Sequence, residues 1–240
     1  MRSADSCRSL EWDTRFFGFA VARIDGEVRD AGRLERALAA LRGLRVRLAY
    51  WMPEDGAAQR RSARRTGGCI AGTRVRYERA LAAADAAALP AGCSIERCAA
   101  LTPELEALGV AAGERSRYAT DPGMPPGTAA RMYAIWIRES FGGTMGDEVL
   151  ALRDASGFAG LVTLKFDPDA GAIGLLSVAQ RSRGAGIGRA LVAAAGARFR
   201  ERGLGRAHVV TQGENEAACR MYEACGYRRA RTQLAAHFWL

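Results

Sequence analysis

The chain has 240 residues, of which 49% are hydrophobic and 25% charged, and its formal net charge at pH 7 is +9. This length and composition fit one large or two small globular domains with a sizeable core. The sequence contains neither an export signal nor the run of about 18 apolar residues that a membrane span needs, so we expect a cytoplasmic protein without a membrane partner.

In the first part of the chain, apolar strand-like runs alternate with helix-like segments and predict a small βαβαβ unit. The predicted strands cover residues 19–28, 46–52 and 69–79, and the predicted helices cover residues 32–42 and 54–66. An Ala-rich stretch containing Pro and Gly follows at 81–93 and is typical of a linker. We therefore predict two domains, which comprise residues 1–85 and 93–240.

The second part of the chain mixes strands and helices in another order. Short Asp/Gly turns indicate three consecutive antiparallel strands at 148–154, 157–166 and 170–178. The other predicted elements are a strand at 94–98, a helix from Pro103, a loop at 116–127, helices at 128–141, 187–202 and 215–225, and strands at 206–212 and 227–240. The predicted fold class is α+β, with a mixed central sheet flanked by helices.

The positive charge comes almost entirely from arginine, because Lys165 is the single lysine. Two explanations fit this bias. It reflects either a GC-rich genome, or a function in binding a nucleotide-linked substrate or an acidic partner protein. Nucleic acid is not an expected partner, since the arginines are spread along the chain and no DNA- or RNA-binding signature is present. The six cysteines form no CxxC pair, so we expect reduced thiols and no metal site.

The stretch "QRSRGAGIGRALVAAAG" places three glycines before an apolar helix. Such a loop offers free backbone amides and the positive end of a helix dipole to an anion, most often a phosphate. A dinucleotide-binding GxGxxG is excluded because Arg189 occupies the position of the third glycine, and a P-loop is excluded because no lysine is near.

The loop instead resembles the R/Q-x-x-G-x-G/A motif of the GNAT superfamily of N-acetyltransferases, through Arg181, Gly184 and Gly186. A second motif of that superfamily is matched by Asn215, Ala218, Tyr222 and Gly226-Tyr227. The resemblance implies an acyl-CoA N-acyltransferase fold, acetyl-CoA as co-substrate, and Tyr222 as the general acid that protonates the departing thiolate. The implied acetyl-CoA-binding residues are Ser177, Val178, Arg183, Gly184, Ala185, Gly186, Ile187, Gly188, Arg189 and Asn215.

Further stretches resemble the sugar-nucleotide N-acetyltransferases, the family of dTDP-fucosamine N-acetyltransferase. They are "EWDTRFFGF", "SRY", "YAIWI", "AIGLLSV" and "VVTQGENEAACRMYEACG". This resemblance implies a truncated GNAT-like N-terminal domain before a complete catalytic domain, a homodimer, and a small-molecule acceptor that is a primary amine on a dTDP-linked deoxysugar. The residues that it implies for acceptor binding are Arg117, Tyr118, Asp121 and Tyr133.

The sequence identifies no general base. The strand before the glycine loop contains no acid, which leaves Asp167, Asp169 or a water relay as alternatives. His208 and His237 lie in apolar strands and are expected to be packed or surface residues. Two other functions stay open: an acyltransferase that takes its acyl group from an acidic phosphopantetheinyl carrier protein, and a non-catalytic CoA-binding module.

Overall fold

The computed structural model of the chain describes residues 7–25, 30–82 and 89–240, and no helix in these ranges is long and apolar enough to cross a membrane. The strands are β1 (Cys7–Ser9), β2 (Val21–Ile24), β3 (Leu48–Trp51), β4 (Cys69–Ala80), β5 (Ser94–Arg97), β6 (Glu148–Asp154), β7 (Gly157–Phe166), β8 (Gly171–Val178), β9 (Arg206–Gln212) and β10 (Arg228–Trp239). The helices are α1 (Glu11–Phe17), α2 (Ala31–Gly43), α3 (Ala57–Arg65), α4 (Pro103–Ala111), α5 (Arg117–Thr120), α6 (Thr128–Phe141), α7 (Ile187–Glu201) and α8 (Glu216–Ala224).

Most of the predicted elements are confirmed, and α6, β6, β7 and β9 have the predicted bounds. The sequence did not predict β1 or α1, and the predicted loop at 116–127 contains α5. The predicted strand at 19–28 is shorter, since β2 ends at Ile24, and residues 26–29 lie outside the described ranges. Helix α3 begins at Ala57 rather than residue 54, because Glu54 forms a β-bridge with Gln233.

All ten strands form one mixed sheet in the order β1-β2-β3-β10-β4-β9-β8-β7-β6-β5. The last strand of the chain, β10, is antiparallel to both β3 and β4, so it separates two strands of the predicted βαβαβ unit. Strand β4 is in turn antiparallel to β9. The sheet is therefore continuous through the two predicted domains, whose linker lies partly in residues 83–88, outside the described ranges.

Apolar side chains on both faces of the sheet hold the helices in place. Strand β10 buries Leu234 and Phe238 against Leu34 and Leu38 of α2. Helix α7 buries Phe199 on the other half of the sheet, among residues of β6 to β9. Burying one such side chain contributes about 1.5–3 kcal/mol relative to leaving it in water, so these contacts fix the helices that flank the site.

Strands β8 and β9 separate partway along their length. They are parallel neighbours at three residue pairs, from Gly171↔Ala207 to Ile173↔Val209, and then diverge. A bulge in β8 lies at this point: Gly174 and Leu175 stand opposite the single residue Thr163 of β7, whose hydroxyl accepts a hydrogen bond from the Leu175 amide at 2.8 Å. Because a bulge bends its strand, the end of β8 turns away from β9 and opens a gap in the sheet.

Candidate functional site

A cleft of about 490 Å³ lies at the open end of β8 and is called the loop cleft here. Its walls come from the end of β8, the glycine loop with the first turn of α7, the start of α8, and the residues around the end of α4. Of the ten residues expected to bind acetyl-CoA, nine line this cleft: Ser177, Val178, Arg183, Gly184, Gly186, Ile187, Gly188, Arg189 and Asn215. The exception is Ala185, which is exposed and outside the lining.

The glycine loop presents a row of backbone amides without protein acceptors. Within the part of the chain that the structure describes, none of the amides from Gly184 to Arg189 donates a hydrogen bond. Gly184 and Gly186 have φ angles of +83° and +81°, a left-handed conformation that side chains with a Cβ rarely adopt. These amides stand at the positive end of the fifteen-residue helix α7, so the loop suits a phosphate or diphosphate.

Asn215 connects the loop cleft to α8. Its side-chain Oδ1 accepts a hydrogen bond from the Ala218 amide at 3.3 Å and caps the helix N-terminus. The amide Nδ2 is therefore the part of the side chain that is left to bind a ligand. Gly188 allows α7 and α8 to approach each other, because a Cβ there would lie 2.6 Å from the Met221 sulfur.

Tyr222 lies behind the wall of the loop cleft rather than in its lining. The side chain is 4% exposed, and its ring packs between Tyr77 and Tyr227 at centroid distances of 6.0 and 5.8 Å. Burial raises the pKa of Tyr222 well above its usual value of 10.0. The hydroxyl is therefore protonated at neutral pH, and its role as general acid stays a prediction.

A second cavity, of about 360 Å³, lies in the gap between β8 and β9 and is called the central cavity here. Gly174 and Leu175 of β8 line the cavity on one side of the gap, and Val210 and Gln212 of β9 line it on the other. Leu175 is followed directly by the loop-cleft residues Leu176, Ser177 and Val178, so β8 contributes to the linings of both cavities. The central cavity is also lined by aromatic residues and arginines: Tyr50, Tyr118, Tyr133, Trp136, Arg23, Arg74 and Arg117.

Arg117 is held at the central cavity by aromatic contacts and hydrogen bonds. Its guanidinium carbon lies 4.0 Å from the ring centroid of Tyr50 and 4.2 Å from that of Tyr118, so the cation contacts two aromatic rings, which are inclined at 76° to each other. One Nη atom donates to the Tyr118 hydroxyl, and the other lies 2.9 Å from Nε2 of His237. A guanidinium has five N–H donors, so donors remain for a ligand in the cavity.

Three of the four residues expected to bind the acceptor, Arg117, Tyr118 and Tyr133, line the central cavity. Asp121 does not line it. Its carboxylate instead accepts hydrogen bonds in the interior, from Trp239 Nε1 at 3.1 Å and the Gly123 amide at 2.8 Å, and contacts His237. These hydrogen bonds hold the pKa of Asp121 below its usual value despite burial, which alone would raise it.

The position of Asp167 and Asp169 argues against both as general bases. They lie in the turn before Gly171, where β8 still pairs with β9, whereas the loop cleft lies at the other end of β8. Val178 lies seven positions after Gly171, which at about 3.3 Å per residue is roughly 23 Å. His208 is half-buried and His237 is fully buried, and neither lines the cavities described above.

Sequence reasoning missed Tyr50, Arg23 and Arg74, which the first part of the chain contributes to the central cavity. The arginines alternate with apolar residues on their strands, a pattern that ordinarily marks a solvated sheet face. Across residues 7–25, 30–82 and 89–240 there is no group of three His, Cys, Asp or Glu side chains that would hold a metal ion.

Comparisons with known proteins agree with this geometry. Residues 114–227 match the model of the acetyltransferase (GNAT) family. A comparison with curated proteins found no match. A GCN5-related N-acetyltransferase from Sphaerobacter thermophilus is 15% identical with a TM-score of 0.63, and the alignment covers 98% of this chain and 76% of that one.

Two other solved structures extend over nearly the whole chain. A GCN5-related N-acetyltransferase from Kribbella flavida is 15% identical with a TM-score of 0.59, covering 98% of this chain and 87% of that one. A tandem GNAT protein from the clavulanic acid biosynthesis pathway is 14% identical with a TM-score of 0.58, covering 91% of this chain and 74% of that one. The fold is that of the GNAT acetyltransferases, and the match of residues 114–227 to their family model supports placing this chain in the GNAT superfamily.

Proposed function

We propose that this protein is an acyl-CoA-dependent N-acyltransferase that transfers acetyl from acetyl-CoA to a primary amine. The observation that carries the proposal is the row of unpaired amides from Gly184 to Arg189 at the wall of the loop cleft. These amides fit the diphosphate of CoA. Beside them, the end of β8 has no strand partner on the side of the gap, so it offers backbone groups to the amide-bearing pantetheine arm.

The amine enters through the central cavity and attacks the thioester directly at the gap between β8 and β9. A carbon–nitrogen bond forms, the carbon–sulfur bond breaks, and CoA leaves as a thiolate. Tyr222 lies on α8, next to the cleft residue Met221, and is the proposed donor to that thiolate. Tyr222 acts as general acid: a thiol has a pKa near 8.5, so the protonated hydroxyl hydrogen-bonds to the sulfur as negative charge develops there in the transition state.

The proposal assigns deprotonation of the amine to water rather than to a carboxylate. Among the described residues that line the central cavity there is no Asp or Glu, whereas Arg23, Arg74 and Arg117 are present. Nearby positive charges disfavour the ammonium form and lower the pKa of the bound amine. A lower pKa raises the fraction of neutral, nucleophilic amine at pH 7, so a protein base is not required.

For the acceptor we propose an amino-deoxysugar linked to dTDP. The aromatic walls formed by Tyr118, Tyr133 and Trp136 fit the apolar faces of a deoxysugar or a base, and the arginines fit a diphosphate. A carrier-protein-dependent acyltransferase remains the second candidate, favoured by the formal charge of +9, which suits an acidic partner. We also propose that the protein forms a homodimer and that residues 1–85 and 93–240 are its two domains.

Calorimetry with acetyl-CoA tests the donor assignment. Gly186→Asp places a side chain and a negative charge in the left-handed loop, and we expect acetyl-CoA affinity to fall at least about a hundredfold. Gly203→Asp is the matched control: this glycine follows α7 at its opposite end, with a φ of +77° and open space where a Cβ would lie. Unchanged affinity in a folded Gly186→Asp variant would contradict the assignment.

Competing substrates test the acceptor assignment. We expect dTDP-4-amino-4,6-dideoxyhexose to be acetylated with a much higher kcat/KM than the free amino sugar, because binding of the nucleotide helps to hold the amine in line. Equal kcat/KM values would remove the nucleotide from the proposal. Turnover only with an acyl carrier protein as donor would establish the second candidate.

A further inference from the structure

A third cavity, of about 470 Å³, opens beside the central cavity and is called the arginine cavity here. Its cations come from three strands: Arg23 on β2, Arg74 and Arg76 on β4, and Arg231 on β10. Two carboxylates, of Asp25 and Glu54, also line it, which leaves a net charge of +2. None of these residues belongs to the sites predicted from the sequence.

The strand register places these arginines next to each other on one face of the sheet. Arg76 is the direct cross-strand partner of Arg231, and Arg74 stands opposite Gln233 two pairs further along, on the same face. Like charges directly opposite one another on adjacent strands destabilise a sheet. The fold therefore holds two like charges next to each other, and a bound anion would add to the compensation that nearby carboxylates provide.

The two carboxylates are already engaged with particular arginines. Asp25 contacts Arg23 at 2.5 Å, and Glu54 pairs with Arg231. Arg76 pairs with Glu78 at 2.7 Å, outside the lining of the cavity. Each of these three cations has a nearby negative charge on the protein.

Arg74 differs because it has no such partner. Within the described residues no carboxylate lies within 4.0 Å of its guanidinium, whose hydrogen-bond acceptor is the neutral Oε1 of Gln233 at 3.3 Å. Burial, together with the charges of Arg117, Arg23 and Arg231, lowers the pKa of Arg74. A half-buried cation without a counter-charge is costly in free energy, and an anionic ligand at this position would offset that cost.

We propose that the arginine cavity binds a phosphate-class dianion, with Arg74 as its central ligand and Arg76 and Arg231 beside it. Arg23, Arg74, Met52 and Val210 line both this cavity and the central cavity, so the two spaces are continuous. One molecule therefore spans both, with its amine in the central cavity and its phosphate or diphosphate group in the arginine cavity. This inference rests on the proposed function and assigns the acceptor to the phosphate- or diphosphate-bearing amines.

Calorimetric titration with inorganic pyrophosphate tests the site without relying on turnover. The titration is done with saturating CoA, so that the glycine loop is already occupied. We expect one pyrophosphate per chain, an affinity that falls with added salt, and at least about a tenfold loss of affinity in Arg74→Gln. Arg42→Gln is the charge-matched control, because Arg42 is an exposed residue of α2 outside these cavities, and its affinity should equal that of the wild type.

The source of the anion is tested by inhibition of acetyl transfer. Pyrophosphate should compete with the acceptor and not with acetyl-CoA, and Arg74→Gln should weaken this inhibition as much as it weakens binding. Inhibition that does not compete with the acceptor would overturn the link between the cavities. The ligand of the arginine cavity would then be a free phosphate rather than a group of the acceptor. Unaltered pyrophosphate binding in Arg74→Gln, or none in the wild type, would overturn the site itself. Acetyl-CoA binding, measured on the same proteins without added CoA, shows separately whether the donor assignment stands.

Discussion

Asp121 and His237 lie 2.7 Å apart in the interior, with Oδ2 of the carboxylate facing Nδ1 of the imidazole, although 116 positions separate them in the chain. On its other side, Nε2 of His237 lies 2.9 Å from a guanidinium nitrogen of Arg117. Since a guanidinium only donates, Nε2 accepts and Nδ1 donates to Asp121, which fixes a neutral imidazole. The two residues therefore act as positioning residues that hold Arg117 at the central cavity.

The first prediction follows from the neutral state of His237. Burial, with a contribution from Arg117, lowers the pKa of His237 from 6.5 to about 4. The unfolded chain therefore takes up a proton at a higher pH than the folded chain, and stability falls as the pH drops from 6.5 towards 4. Between pH 7 and pH 5 this group should remove about 2 kcal/mol from the free energy of unfolding.

Urea denaturation at the two pH values measures this loss. His237→Gln has no titrating group and keeps one donor and one acceptor, so it should lose about 2 kcal/mol less than the wild type between pH 7 and pH 5. Identical pH dependence of the two proteins would show that His237 does not titrate as its burial indicates.

The second prediction concerns Arg117, whose guanidinium contacts the rings of both Tyr50 and Tyr118. Arg117→Lys keeps the charge but removes the planar group that stacks and donates to His237. We expect KM for the acceptor to rise at least about tenfold while KM for acetyl-CoA stays within about twofold, since the loop cleft does not include Arg117.

Arg153→Lys serves as the control for this exchange. The Arg153 guanidinium stacks on Phe158 at 3.7 Å but lies outside the loop cleft and the central cavity, so its replacement should leave both KM values unchanged. An equal rise of both KM values in Arg117→Lys would instead indicate a general distortion of the fold.

The glycine loop and α8 could be predicted from the sequence because their signals are local. Gly184 and Gly186 stand at left-handed positions before α7, and Asn215 caps α8, so residue type and conformation are linked within a few positions. The bounds of β6 and β7 were predictable for the same reason, since a short turn joins them as antiparallel neighbours.

The partners of β4 and β10 could not be predicted, because they depend on pairing between distant parts of the chain. Nothing near β10 specifies that it lies between β3 and β4, or that Arg231 stands opposite Arg76. The sequence predicted a strand at 69–79, and only the three-dimensional register shows that Arg74 and Arg76 on this strand line cavities.

The third prediction separates the two roles of Asn215. Asn215→Asp keeps the oxygen that caps α8 and removes the Nδ2 donor that faces the loop cleft. The free energy of unfolding should change by less than about 0.5 kcal/mol, because Asn and Asp cap helices equally well. KM for acetyl-CoA should rise about threefold to tenfold, because one hydrogen bond to the ligand is lost.

Asn215→Ala provides the comparison, since it removes the cap as well and should lower the free energy of unfolding by about 1 kcal/mol. Denaturation curves and steady-state kinetics on both variants measure the two effects. If Asn215→Asp binds acetyl-CoA as tightly as the wild type does, the side chain is only a helix cap.

The last prediction tests the hydroxyl of Tyr222. Tyr222→Phe keeps the ring between Tyr77 and Tyr227 and removes the proton that the side chain would offer to the thiolate. The ring contacts that hold Tyr222 are the same for Phe, so the melting temperature should stay nearly unchanged. The rate should nevertheless fall by the roughly 10²- to 10⁴-fold typical of a lost general acid, with acetyl-CoA affinity nearly unchanged.

Tyr227→Phe makes the same chemical change in the neighbouring ring, which is equally buried and also lies outside the loop cleft, and it should keep its rate within about twofold. A thiol-trapping assay of CoA release, run beside a thermal melt and acetyl-CoA calorimetry on the three proteins, gives the rate, stability and affinity needed. A Tyr222→Phe enzyme that keeps more than about half of the wild-type kcat would remove this residue from the chemical step, since loss of a general acid costs far more. The leaving thiolate would then be stabilised by the amides at the start of α7 and by solvent that enters the cleft.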